Sequence, residues 1–160
     1  MIKTEAVNEK EHFLVSRLKT LGKGELVALR RAFGSPLSEA SGAALSVFYK
    51  ICPKEEEKEE AAYLASCAIA YIMHYGYGKT PLSHCLKKAE VSESRIKALL
   101  NNKWVDKDGF FHSKYSRLVR YAVSKDWLPD INEIYPALTN WWKYRIAFIK
   151  DFYAQVKEEQ

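Results

Sequence analysis

Proline and glycine are scarce in this 160-residue chain, at five and seven residues. Their scarcity argues against a turn-rich sandwich or barrel, whose short strands need frequent punctuation. Cysteine is limited to Cys52, Cys67 and Cys85. Three is an odd number, no CxxC pair occurs, and the pattern argues for reduced thiols rather than a disulfide framework. The most apolar stretch, Ala61 to Tyr75, falls short of the roughly 20 residues needed to cross a bilayer and reads as a buried helix. The beginning of the chain, MIKTEAVNEKEHFLVSRL, carries charges every few residues and lacks the apolar core and cleavage site of a secretory signal. A cytoplasmic location without membrane association is therefore expected. HExxH, GxSxG, Walker A and GxGxxG patterns are also missing, and the GYGK at Gly76 to Lys79 lacks the spacing of a phosphate loop. The acidic residues form no recognisable pair for acid/base work. No catalytic residues, metal or cofactor are expected.

What the chain does have is a core: 48% of residues are apolar and 28% charged, outside the range of disordered sequences. The length suits one domain, or two small helical lobes sharing a core. Charge is uneven along it. Residues 1–78 balance ten Lys/Arg against ten Asp/Glu, residues 79–125 hold eleven against four, and residues 126–160 hold four against six. A concentrated positive segment attracts polyanions, which makes nucleic acid a candidate partner.

Apolar spacing predicts an all-α fold of about nine helices. The first runs from about Thr4 to Leu21, with Phe13, Leu14, Leu18 and Leu21 as its apolar positions, and Gly22 stops it. The second runs from Gly24 to Phe33 and the third from Ser41 to Ile51. The run KEEEKEE (54–60) is expected to put its carboxylates in the first turns of the fourth helix, where they oppose the positive end of the dipole favourably. That fourth helix is apolar on nearly every side, as a central element should be. Gly76-Tyr77-Gly78 is the candidate boundary between an N-terminal lobe, 1–78, and a basic C-terminal lobe, 79–160. Thr80-Pro81 and Ser92 open two short helices, with proline expected at the first helical position. The turn DKDG (106–109) could join Trp104-Val105 and Phe110-Phe111 in a small ribbon. From His112 to Ser124 the pattern is clearly amphipathic, with Tyr115, Leu118, Val119 and Ala122 on one side. Asp130 caps the next helix with Glu133 in a capping box, and Pro136 must kink that helix or delay its start. A last helix, about 142–157, aligns Trp142, Ile146, Ile149 and Tyr153.

The polar side of the 112–124 segment carries Lys114, Arg117 and Arg120, which spread over about one third of the helix circumference and can meet phosphates together. Arg95, Lys97 and Lys103 extend the same surface if the preceding helix packs alongside. Trp104 and Tyr121 are positioned to stack on single-stranded bases, although core packing is the commoner fate of such rings. Binding of this kind is sequence-tolerant and weakened by salt. Two other readings fit parts of the pattern. One is a helical adaptor whose basic face docks on an acidic protein surface. The other is a metal-dependent enzyme using Cys67, His74, His84 and Cys85, which lack the tight spacing of zinc ligands.

The order of short motifs also carries a resemblance. Gly24-Glu-Leu-Val-Ala-Leu-Arg-Arg-Ala32, Phe48-Tyr49, the alanine-rich 61–70 helix, Ser94-Arg95-Ile96 with Leu99-Leu100, and Ser116-Arg117-Leu118-Val119-Arg120 come in that order. Lys125-Asp126-Trp127, Leu138-Thr139-Asn140-Trp141-Trp142, Lys143-Tyr144-Arg145 and Asp151-Phe152-Tyr153 follow. From about residue 12 to 154 this order resembles the CasB small-subunit family of the type I-E CRISPR Cascade complex. The resemblance implies two helical lobes without nuclease activity. It also implies dimerisation within the complex, contact with the repeated backbone subunit and the large subunit, and basic residues presented to guide RNA and the displaced strand of target DNA. In such systems guide pairing selects the sequence. It assigns nucleic-acid contacts to Arg30, Arg31, Arg95, Arg117 and Arg120. Lys143 and Arg145 match a basic cluster that is richer in arginine elsewhere in the family. Asn101-Asn102-Lys103 stands where the family tends to carry arginine, and lysine offers a point charge in place of a two-pronged contact.

Overall fold

Alanines at 61, 62, 65, 68 and 70 keep the waist of one helix narrow, so that neighbours approach it from all sides. The computed structural model describes residues 11–54 and 56–159, with side-chain environments through Ala154, and the fold is all-α. Nine α-helices lie among the described residues: α1 (Phe13–Lys19), α2 (Lys23–Ala32), α3 (Gly42–Ile51), α4 (Glu59–Tyr75), α5 (Leu82–Lys88), α6 (Glu93–Leu100), α7 (Phe110–Ser124), α8 (Ile134–Thr139) and α9 (Trp141–Glu159). Short 3-10 turns occupy Leu37–Glu39 and Ile131–Glu133. Every residue of α4 from Ala61 to Ile72 is buried, which makes it the central element its composition predicts.

The helices pack as two sub-clusters. In the first, α1 and α2 lie against α3 and α4; in the second, α5 packs on α7 and α9, α6 on α7, and α8 on α9. α4 belongs to both, since α7 and α8 also pack on it, and one continuous set of buried side chains runs from Leu14 to Phe152. Polar ties reinforce this. The His12 amide donates to Asn132 Oδ1 at 2.8 Å, Lys58 donates to the Thr139 carbonyl, and the Tyr135 hydroxyl donates to Glu56. Gly76-Tyr77-Gly78 is held against the segment that precedes α8: Gly78 pairs with Asp130 and Thr80 with Pro129 in parallel bridges, and the Asp130 amide donates to the Thr80 carbonyl at 2.9 Å.

Several expectations shift in detail. The part of the first helix assigned to Thr4 through Lys10 lies outside the described residues. Only Glu59 and Glu60 of the acidic run occupy the first turn of α4; Glu56 and Glu57 precede it, and Glu55 lies outside the described residues. Pro81 is the N-cap of α5 rather than its first residue. No ribbon forms at 104–111, because Gly109 takes a left-handed conformation (φ 89°) as the N-cap of α7, and Phe110 and Phe111 become its first two residues. Asp130 accepts from the Asn132 amide and caps the 3-10 turn instead of the α-helix. α8 starts later, at Ile134, which leaves Pro136 in its first turn, where a missing N–H costs little. On α9 the aligned Trp142, Ile146 and Tyr153 face outward, at 47%, 56% and 41% exposure, while Trp141, Phe148 and Phe152 enter the core. A shift of one residue turns a helix by about 100°, enough to exchange the two stripes.

Candidate nucleic-acid interface

α7 presents two faces because its apolar residues recur at helical spacing: Phe111, Tyr115, Leu118, Val119 and Ala122 are buried. Along one flank of that face, Lys114, Tyr121 and Lys125 follow at seven and four residues and stand within about 40° of one another, with Arg117 about 60° from Lys114 on the side away from the core by the same geometry. α6 buries Ile96 and Leu99 and runs against α7 in the opposite direction. Two contacts fix that pairing. The Arg95 guanidinium stands 5.3 Å from the centroid of the Tyr121 ring, and the Lys114 ammonium donates to the Ala98 carbonyl near the end of α6 at 3.4 Å. The packing of the two helices, a condition of the sequence argument, is therefore met.

At the end of this ridge the half-buried Tyr121 ring has Arg95 at 5.3 Å and Lys125 at 5.6 Å. Each such cation–ring contact contributes about 0.5–1 kcal/mol at an exposed site and restricts the cation. Arg95, Arg117 and Lys125 are exposed. Among the described residues none of Arg95, Lys114, Arg117 and Lys125 is ion-paired. From Lys114 to Lys125 the ridge extends about 16 Å at the helical rise. Lys114 is half-buried against the Ala98 carbonyl, and the charge of Arg95, Arg117 and Lys125 is exposed, the condition under which cations meet phosphates.

The remaining candidates lie elsewhere. Arg120 points away from the ridge. It donates to the Phe33 carbonyl at the end of α2 at 3.0 Å and covers the rings of Tyr71 at 4.7 Å and Phe33 at 5.3 Å, so its guanidinium serves the joint between α7, α2 and α4. Burial pushes the Tyr71 phenol up, and a hydrogen bond with Tyr75 adds to the rise while Arg120 opposes it. Arg30 and Arg31, adjacent on α2, diverge by about 100°; Arg30 is half-buried beside α4 and Arg31 is exposed. Lys97 is exposed on α6. Lys103 and Arg145 both approach Trp142, at 5.7 and 3.5 Å from its centroid, and the Arg145 Nε is buried without a hydrogen-bond partner. α9 is continuous through this point, so Lys143 and Arg145 diverge as helix geometry requires. Trp104, 64% exposed, borders a hollow of about 370 Å³ together with Lys103 and Trp142.

Sequence reasoning missed Lys125, although its i, i+4 spacing from Tyr121 is a readable signal. The cysteine–histidine set does not converge: among the described residues no three His, Cys, Asp or Glu side chains are placed to hold a metal ion. Burial pushes both the Cys67 and Cys85 thiols up to about 12, the opposite of an activated thiolate. The buried His112 imidazole lies 3.0 Å from Glu60 Oε2, off the direction of a good hydrogen bond, while the same oxygen accepts from the Leu37 amide at 2.8 Å. Among the described residues no helix is long and apolar enough to cross a membrane. No family model, curated protein or solved structure matches the chain.

Proposed function

We propose that the protein is a non-catalytic, nucleic-acid-binding small subunit of a type I CRISPR effector complex, the role implied by the CasB resemblance. The observation that carries the reading is the α6–α7 ridge, where Arg95, Lys114, Arg117 and Lys125 of two packed helices have no carboxylate partner among the described residues. Such a surface follows a phosphodiester chain without reading bases, which suits a strand whose sequence is selected by guide pairing. In this reading Arg95 and Arg117 are the principal contacts and Lys114 and Lys125 the supporting ones. Arg31, Lys97, Lys103 and Lys143 take phosphates beyond the ridge. Guide RNA, displaced DNA, the backbone and large subunits and a second copy of the chain are the partners.

Fluorescently labelled single-stranded DNA and RNA, titrated at 50 and 200 mM salt, test the ridge. Three or four phosphate contacts on a single strand give a slope of log K against log salt of about −2 to −3. The double variant Arg95→Ala/Arg117→Ala should bind at least about tenfold more weakly at low salt, a loss of about 1.4 kcal/mol, with a melting temperature lowered by no more than about 4 °C, the share of the Arg95–Tyr121 contact. Binding without a salt slope, or full binding by the double variant, would overturn the ridge. Absence of binding to either strand would favour a helical adaptor that docks on an acidic protein. Co-purification with guide RNA and the effector complex tests the assembly.

A further inference from the structure

α2 and α4 carry the same spacing toward each other. Lys23, Leu26, Val27 and Arg30 recur at three, four and seven residues along α2; Ala70, Met73, His74 and Tyr77 do so along α4 and just past its end. Where the two stripes meet they line a hollow of about 360 Å³, with Lys19 of α1 at its edge. That volume lies in the range of small-molecule sites, roughly 300–1,000 Å³. The lining is divided by chemistry: Leu26, Val27, Ala70 and Met73 form an apolar floor, Tyr77 supplies an aromatic wall, and the cations Lys23 and Arg30, with His74 and the Glu11-paired Lys19, form a polar rim. The carboxylate near this rim, Glu11, is bound by Lys19 and Ser16, and Glu25 on the same helix is turned to Lys50 and the Gly22 amide. The Lys19 ammonium stands 5.0 Å from the centroid of the Tyr77 ring, which fixes the wall relative to the rim.

A flat apolar body placed beside a phosphate satisfies both halves of this lining, and an anion or an apolar group alone satisfies only one. We infer that the α2–α4 hollow is a binding site for a 5′-phosphorylated nucleotide, with the base on Met73, Leu26 and Tyr77 and the phosphate held by Arg30 and Lys23. Arginine offers a planar fork to phosphate oxygens and lysine a mobile point charge. The nucleotide is either free or the 5′ end of a strand; the chemistry of recognition is the same. The site shares none of the ridge residues and does not depend on the ridge reading.

The chain has two methionines, Met1 and Met73, so protein labelled with [methyl-13C]methionine gives two methyl signals, and Met73→Leu identifies the one in the floor. Titration with AMP should move the Met73 methyl saturably, while adenosine and ribose 5-phosphate should each bind at least about tenfold more weakly, since each lacks one recognised half. Lys23→Gln, at an exposed position, and Arg30→Gln should each weaken AMP several-fold with the helical circular dichroism of the apo protein unchanged. A 5′-phosphorylated trinucleotide that binds as well as AMP, and better than its 5′-hydroxyl counterpart, assigns the site to a strand end; AMP binding without it assigns a free nucleotide. An unmoved Met73 methyl at millimolar AMP, equal binding of adenosine, or undiminished binding by both glutamine variants would overturn the inference. Arg95→Ala/Arg117→Ala should leave the AMP titration intact, so the ridge and the hollow fail separately.

Discussion

Replacing Gly78 by alanine perturbs the place where the segment after α4 crosses the segment before α8. A Cβ at Gly78 would lie 1.8 Å from the Leu128 carbonyl oxygen and 2.5 Å from its carbon, both backbone atoms without a rotamer to escape through. Ordinary contact at 3.4 Å requires the two segments to part by about 1.6 Å. That displacement breaks the 2.9 Å bond from the Asp130 amide to the Thr80 carbonyl and moves Asp130, whose carboxylate caps the 131–133 turn. Overpacking costs about 1–3 kcal/mol and the lost hydrogen bond about 1, for a destabilisation of roughly 2–4 kcal/mol. At about 2–4 °C per kcal/mol for a chain of this size, the melting temperature should fall by roughly 5–15 °C. Gly24→Ala is the control: it makes the same chemical change within α2, where the added Cβ meets nothing within 4 Å, and should stabilise by about 0.5–1 kcal/mol. Urea and thermal unfolding followed by tryptophan fluorescence read both. A Gly78→Ala protein within about 0.5 kcal/mol of wild type would show that the two segments do not meet in this register.

Arg120→Ala should destabilise by about 1.5–3 kcal/mol, because a charged donor to the Phe33 carbonyl and its ring contacts are lost together, whereas Arg117→Ala should stay within about 0.5 kcal/mol; equal urea midpoints for the two would refute the division of labour on α7. His12 caps α1 by accepting the Leu14 amide on Nδ1 at 3.2 Å, and burial lowers its pKa below the ordinary 6.5. The fold therefore favours the neutral ring: its contribution is complete above about pH 6.5 and is lost as pH falls through the lower folded value. Melting temperature should drop between pH 7.5 and 5, and His12→Asn, which caps without titrating, should flatten that part of the profile; an unchanged profile would exclude His12 as its source.

The parts of this fold that were legible in the sequence are those decided by local periodicity. The buried side of α7, the all-round burial of α4 and the delayed start of α8, with Pro136 in its first turn, follow from spacing and from proline chemistry. Tertiary choices were less visible. Arg117 and Arg120 are interchangeable on a helical projection and both are exposed, and only the position of the α2 terminus gives Arg120 a carbonyl and two rings to hold. On α9 two aromatic stripes differ by one residue, and packing against α5 and α8 selects Trp141, Phe148 and Phe152 over Trp142, Ile146 and Tyr153. The α2–α4 hollow needed two helices brought together across about forty residues, which no local pattern specifies.

The dependence of α4 on later segments sets a schedule for biosynthesis. As the chain leaves the ribosome, α4 is complete long before α7 and α8, which cover it, have been made. Until then an apolar helix waits with part of its circumference wet, and the last side of its enclosure closes only as residues 131–139 emerge. Final compaction therefore waits for residues 131–139, and nascent chains stalled before α8 are the ones that should call on chaperones that shield apolar surface.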